Sequence, residues 1–255
     1  MKFQSRKIQF ENVKKNKLLG ILDFPAAIEP KAYIIISHCF TCTKQTITTA
    51  RLSRELAQAG FAVLRFDFTG LGDSEGIFAD THFRSMLCDI ESAAKFLSMH
   101  YAPASILIGH SMGGTASLAA TQNSCAALGD IQKIITLASP ATPAHVLHHF
   151  GGALALLQRG ENAHIKVAGQ NYLVKPHFIK DVVSYNMDEQ MQHCSLSIMA
   201  VRAGNDSLVE ARAADRIIDY TQGGSLLCQI DGADHLFSER DHGALLLSYI
   251  IDWLS

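Results

Sequence analysis

Apolar and polar positions along this chain fall into short strand-like runs separated by helix-spaced stretches. Residues 6–11 and 17–24 read as an opening hairpin around Lys14-Lys15-Asn16. Ala32-Tyr33-Ile34-Ile35-Ile36-Ser37 predicts a buried strand, residues 45–59 a helix stopped by Gly60, and Phe61-Ala62-Val63-Leu64-Arg65-Phe66 the next strand. A helix over 82–100, a strand over 105–109, a helix over 112–127 and a strand over 133–138 follow.

The alternation breaks at Pro140. Residues 140–194 hold Pro140, Pro143 and Pro176, several glycines and a hairpin-like piece. In that piece His164-Ile165-Lys166-Val167-Ala168 and Tyr172-Leu173-Val174 flank Gly169-Gln170-Asn171. The alternation resumes with a strand over 196–202, a helix over 207–221, a strand over 225–230 and a closing helix over 239–253. Strands that alternate with helices favour a parallel, doubly covered sheet. The expected fold class is therefore α/β, a mostly parallel doubly wound sheet. Residues 1–139 and 195–255 form its core, and 140–194 form a small inserted cap.

Composition narrows the function classes. The 255 residues suffice for one domain, and 48% hydrophobic residues support a large core. Net charge is -2, which offers neither a basic patch for nucleic acid nor a polybasic membrane surface. Met1-Lys2-Phe3-Gln4-Ser5-Arg6-Lys7 lacks the apolar core of an export signal, and no apolar run approaches the ~20 residues of a membrane-spanning helix. A cytoplasmic protein is expected. Its six scattered cysteines suit reduced thiols better than a disulfide framework.

The candidate chemistry starts at Gly109-His110-Ser111-Met112-Gly113-Gly114, which reads G-x-S-x-G. It follows the apolar run Ser105-Ile106-Leu107-Ile108 and precedes small, helix-compatible residues. Strand, sharp turn and helix are the setting of a nucleophile elbow, which lifts one serine hydroxyl above the carboxyl edge of a sheet. Side chains at 109 and 113 would strike the neighbouring strand and helix. An ordinary strand-to-helix turn is the plain alternative.

A serine hydroxyl needs a base to take its proton, and the base needs an acid to hold its tautomer. On this elbow the chain order is serine, acid, histidine. Asp206 lies just past the strand ending in Arg202-Ala203-Gly204-Asn205, and His235 just past the strand ending in Ile230. Asp231 and Asp234 compete with Asp206 for the acid's place, and Asp206 also suits a helix N-cap. Met112, the residue after the nucleophile, is the expected oxyanion donor through its N–H. The second donor belongs to His38-Cys39-Phe40-Thr41-Cys42, the loop after the strand ending at Ser37.

With these residues in place the chain resembles the α/β-hydrolases of the serine esterase and S33 aminopeptidase-like group over essentially its whole length. His38-Cys39-Phe40-Thr41-Cys42-Thr43-Lys44, Phe66-Asp67-Phe68-Thr69-Gly70-Leu71-Gly72-Asp73-Ser74-Glu75-Gly76 and Asp231-Gly232-Ala233-Asp234-His235 carry the likeness. In that group the first segment usually reads H-G-F/W, and its third residue gives the second oxyanion N–H. The resemblance thus implies Phe40, with Cys39 where glycine is usual. The form of the three segments is similar to the hydrolase halves of bifunctional hydrolase/OsmC-like proteins. It implies a short cap like that of feruloyl esterases and association with an OsmC-like domain. No such domain starts after Trp253, so a stand-alone relative or part of a longer chain is expected.

Other signals are weaker. Residues 70–76 miss the G-x-G-x-x-G spacing by one residue, and no phosphate-loop lysine follows. Cys39-Phe40-Thr41-Cys42 has C-x-x-C spacing without a second pair or a thioredoxin-like start. His145, His148 and His149 share helical spacing without a nearby carboxylate or cysteine. Residues 150–157 and Tyr172 are expected to face the pocket or the core.

The expectation is a serine hydrolase that cleaves small carboxylic esters through Ser111, Asp206 and His235, with no metal or organic cofactor. Aminopeptidase-like or thioester hydrolysis on the same residues is the alternative, with Glu161, Asp181, Asp188 and Glu189 as candidates to receive a substrate amine. A silent ligand-binding scaffold is another. Oligomeric state is left open.

Overall fold

The structure is a computed structural model that describes residues 2–123, 125–167 and 169–255. The opening hairpin pairs β1 (Phe3–Glu11) with β2 (Lys17–Pro25) in antiparallel register, and β2 continues antiparallel onto β4 (Ala62–Phe66). From there the sheet is parallel through β3 (Tyr33–Ser37), β5 (Ala104–His110), β6 (Lys133–Leu137), β9 (Ser197–Ala203) and β10 (Ser225–Ile230). The strand order is β1-β2-β4-β3-β5-β6-β9-β10.

Period-two alternation sends each central strand's side chains to both faces, as a doubly covered sheet requires. Ile34 and Ile36 of β3, Ile106 and Ile108 of β5, and Met199 and Val201 of β9 join one core. Leu52 and Leu56 of α1 (Ile47–Gln58) and Leu246 and Ile250 of α8 (Arg240–Leu254) close it. Ile35, Leu107, Ile198 and Ala200 point the other way, toward α2 (Phe83–His100), α3 (Met112–Ala120) and α7 (Arg212–Asp219).

Two buried ion pairs brace the β2–β4 side. Arg65 Nε donates to Asp23 Oδ2 at 2.9 Å, and Ser53 of α1 donates to the same carboxylate at 2.5 Å. Lys44 Nζ bonds Asp67, whose carboxylate also accepts from the Lys44 N–H at 2.6 Å and the Asp73 N–H at 2.9 Å. Asp67 therefore ties the loop after β3 to the glycine-rich loop after β4.

Between β6 and β9 the chain forms a short 3-10 turn, Pro143–His149, then α4 (Ala153–Gln158). A two-stranded hairpin of β7 (Ala163–Val167) and β8 (Gln170–Val174) follows, then α5 (Pro176–Ser184) and α6 (Met187–Met191). Ala168, expected as the end of the first hairpin strand, lies outside the described residues, as does Ser124 within the expected helix 112–127.

Two helices are shorter than expected. α3 ends at Ala120, where Thr121 Oγ1 turns back to the Leu118 carbonyl and the polar run that follows closes turns instead. α7 begins at Arg212, not 207, because the Asp206 carboxylate first captures the Leu208 and Val209 N–H groups in a turn.

Candidate active site

Strand order sets where the site lies. The chain runs from β3 outward to β4, then crosses back to β5 on the other side of β3. The crevice above the carboxyl ends of β3 and β5 is therefore a topological switch point, where open α/β sheets bind ligands. The loop after β3 and the turn after β5 both open there.

Ser111 follows β5 directly. Its N–H donates to Leu137 O of β6 at 2.8 Å, and its backbone sits at φ 53°, ψ -126°. A non-glycine residue there is strained by about 1–3 kcal/mol, a feature that clusters at functional sites. The turn is also tight. A Cβ at Gly109 would overlap the Gly114 backbone, and one at Gly113 would overlap the carbonyls of Ser37 and His38. These are the strand and helix collisions expected from the sequence.

Asp206 and His235 come together. Asp206 Oδ2 accepts from His235 Nδ1 at 2.8 Å, Nε2 has no partner among the described residues, and both side chains are nearly buried. Burial works to raise the Asp206 pKa. The bonds from His235, Leu208 N and Val209 N outweigh it and hold the carboxyl below its usual range. The rival acids are occupied elsewhere: Asp234 accepts from Ser238 N and Oγ at 2.7 Å, and Asp231 bonds Gln229. Ser111 Oγ is not hydrogen-bonded to His235. The elbow meets His235 through His110 instead, whose Nε2 lies 2.7 Å from His235 O and whose ring centroid lies 4.9 Å from that of His235. Sequence reasoning passed over His110 because it looked like an incidental elbow residue.

The loop after β3 is oriented by His38, a second residue the sequence does not single out. His38 Nδ1 lies 2.8 Å from the Cys39 carbonyl, and Nε2 accepts from Phe68 N–H at 3.2 Å. A carbonyl only accepts, so Nδ1 carries the proton. Burial holds the His38 pKa down to about 4, which keeps that neutral tautomer. Cys42 N–H also donates to Cys39 O, at 3.1 Å. With the Cys39 carbonyl engaged on this side, the Phe40 N–H of the same trans peptide points the opposite way. Among the described residues neither the Phe40 N–H nor the Met112 N–H donates to a protein acceptor.

One cysteine expectation is corrected here. Cys39 and Cys42 are joined by a disulfide, while Cys88, Cys125, Cys194 and Cys228 are free. A C-x-x-C pair folded into one tight turn brings its Cα atoms to 5.3 Å, within bridging distance, without any wider disulfide framework.

Aromatic side chains crowd around Phe40. Its ring centroid lies 5.5 Å from Phe178, 5.7 Å from Phe78 and 6.3 Å from Phe150. Tyr172 of β8 reaches across to donate its hydroxyl to Thr41 O at 3.1 Å. The His145–His148–His149 group turns toward the same end of the sheet. Burial first, and then the nearby His235, lower the His149 pKa. Among the described residues no group of three His, Cys, Asp or Glu side chains could hold a metal ion, and no helix is long and apolar enough to cross a membrane.

Sheet order, elbow and carboxyl-edge loops together define an α/β-hydrolase. Residues 28–159 match the family model described as serine aminopeptidase, S33, and the chain belongs to that family. The esterase domain of a Rhodothermus marinus protein is 30% identical, with a TM-score of 0.77 over 99% of this chain and 98% of that one. Est1E from Butyrivibrio proteoclasticus, solved with ferulic acid bound, is 18% identical, with a TM-score of 0.78 over 97% of both chains. Alpha/beta hydrolase domain-containing protein 10 from mouse shares the fold at 17% identity and TM-score 0.75, over 98% of this chain and 100% of that one. No curated protein sequence matches the chain.

Proposed function

We propose that the protein hydrolyses small carboxylic esters through an acyl-enzyme on Ser111. The observation that carries this reading is the Asp206–His235 hydrogen bond, held beside the elbow by His110. His235 Nε2 takes the Ser111 proton as Oγ attacks the ester carbonyl. Asp206 fixes the Nδ1–H tautomer and stabilises the imidazolium. The Phe40 and Met112 N–H groups receive the oxyanion. As the tetrahedral intermediate collapses, the C–O bond to the alcohol breaks and His235 returns the proton to the leaving oxygen. A water then gives its proton to His235 and attacks the acyl-enzyme. Collapse of that second intermediate frees the carboxylic acid and restores the Ser111 hydroxyl. No step asks for a metal or an organic cofactor.

Residues 140–194 are read as the cap that selects the acyl group. The rings of Phe40, Phe78, Phe150 and Phe178 suit an aryl or other flat apolar acyl chain. Est1E with its bound ferulic acid offers a parallel.

An aminopeptidase needs a free carboxylate for the substrate amine. Asp181 is taken by Arg84 and His82, Asp188 by Arg216, and Glu161 by Arg159. Glu189 bonds Asn186, at the N-terminus of α6. These pairings favour the ester.

The test compares wild type with Ser111→Ala on p-nitrophenyl esters of graded acyl length and on aminoacyl anilides. The variant is expected to lose ~10^4-fold or more in kcat, the scale seen when such a nucleophile is removed. Anilides are expected to stay uncut. Near-normal ester turnover by the variant would overturn the assignment.

A further inference from the structure

The turn that presents the Phe40 N–H is closed by a covalent bond for which ester hydrolysis has no use. Cys39 and Cys42 bracket Phe40 and Thr41, and their sulfurs are bonded. Cys39 is buried, while Cys42 is partly exposed and is the more accessible residue of the two. The turn is held in a conformation its sequence disfavours. Cys42 N–H closes it on Cys39 O, and its third residue, Thr41, sits at φ 60°. That is the pattern of a type II turn, whose third position favours glycine or asparagine, not a β-branched side chain.

The disulfide opposes relaxation of Thr41. Return of Thr41 to negative φ rotates the Phe40–Thr41 peptide. Once the link is open, the closing bond from Cys42 N–H to Cys39 O also loses its brace, and the Cys39–Phe40 peptide, which carries the Phe40 N–H, turns with the ring packed on Phe78, Phe150 and Phe178. The bond from Tyr172 to Thr41 O depends on the neighbouring Thr41–Cys42 peptide, which ends on the other bridged cysteine.

We propose that Cys39–Cys42 is a thiol–disulfide exchange site that sets the competence of the oxyanion loop, with low-molecular-weight thiols and disulfides as its co-reactants. The proposal rests on the ester-hydrolase reading. In the reducing direction an external thiolate attacks Cys42 Sγ, the Cys39–Cys42 bond breaks, and Cys39 leaves as thiolate and takes up a proton. A second external thiolate attacks the external sulfur of the mixed disulfide and releases Cys42, which is protonated in turn. One protein disulfide gains two electrons, and two external thiols become one external disulfide. The reverse sequence, driven by an external disulfide, re-forms the link. The oxidised protein is the active form.

The experiment uses the whole chain. Wild type is prepared oxidised with oxidised glutathione and reduced with dithiothreitol, and the state of the pair is read by mass after iodoacetamide alkylation. The reduced sample should carry two more adducts. Turnover of p-nitrophenyl acetate is expected to fall about tenfold in kcat on reduction, with KM within about twofold. That is part of the ~10^2–10^3-fold lost when an oxyanion donor is removed outright. Re-oxidation should restore it. The Cys39→Ser/Cys42→Ser variant should sit at the reduced level and ignore dithiothreitol, which separates this pair from the four free cysteines.

Equal kcat in both states with the link shown to be open overturns the proposal and leaves the esterase reading standing. So does failure of the link to form or to open, or an equal response to dithiothreitol in wild type and double variant. Absence of ester turnover in every form sinks both.

Discussion

The imidazole of His110 lies against that of His235, ring centroids 4.9 Å apart, and its Nε2 donates to the His235 carbonyl at 2.7 Å. The residue beside the candidate nucleophile thus holds the backbone of the candidate base. His110 Nδ1 is buried and has no partner among the described residues. Burial, with His235 beside it, drives the His110 pKa down to about 3, so the ring stays a neutral Nε2–H donor. His110→Phe keeps the ring and deletes the donor. Loss of one such bond is worth about 1–1.5 kcal/mol, so kcat is expected to fall about tenfold with KM little changed. Steady-state kinetics on a p-nitrophenyl ester read this, and His110→Gln should recover part of the loss.

The same buried imidazoles make folding sensitive to acid. His38 and His110 titrate at about 4 and about 3 when folded, against 6.5 as the reference value. Both stay neutral in the fold while the unfolded chain binds protons, so their contribution is fully present above pH 6.5. It is lost as pH falls from there toward the folded values. Each group adds at most about 1.4 kcal/mol per pH unit in that window. Urea denaturation at pH 7.5 and pH 5 should show the drop, and His110→Phe should shrink the difference. An unchanged midpoint would contradict buried, neutral histidines at both positions.

Asp206→Asn preserves shape, and its amide oxygen can still accept from Leu208 N and Val209 N. It no longer enforces the Nδ1–H tautomer of His235. Turnover is expected to drop by ~10^2–10^4-fold, the upper figure being that of the corresponding change in a well-studied triad, while the melting temperature moves little. A matching change at Asp234, which serves Ser238 instead, should leave kcat within about threefold. The reverse ranking would reassign the acid.

Ser111 is held at φ 53°, so activity and stability should part company there. Ser111→Gly removes the side chain that makes this backbone costly and is expected to raise stability by about 1 kcal/mol while abolishing turnover. Differential scanning calorimetry beside an esterase assay would read both. A lower melting temperature would mean that the turn is not strained at Ser111.

Much of this architecture was legible in the chain. Ile34-Ile35-Ile36 and Ile106-Leu107-Ile108 are apolar on both faces because both faces are covered. That Ser111, Asp206 and His235 each follow a strand end was readable from the order of apolar runs, and Asp206 and His235 do meet. What stayed hidden depends on contacts between distant segments. His38 and His110 act through backbone carbonyls, which leave no mark in residue identity. The short α3 and late α7 reflect side-chain-to-backbone bonds that compete locally with helix. The Cys39–Cys42 link leaves no mark in overall cysteine usage, because a single turn decides it.

Ser111, Asp206 and His235 all lie outside the stretch between β6 and β9, whose buried apolar residues, Phe178, Val182 and Met187 among them, join the core on the α2–α3 face of the sheet, with bonds such as Tyr172 to Thr41 O and Arg84 to Asp181 beside them. Substitutions or insertions in that stretch leave Ser111, Asp206 and His235 on their own loops. Pocket lining and candidate catalytic groups therefore sit on separate stretches of the chain, so a change in one need not disturb the other.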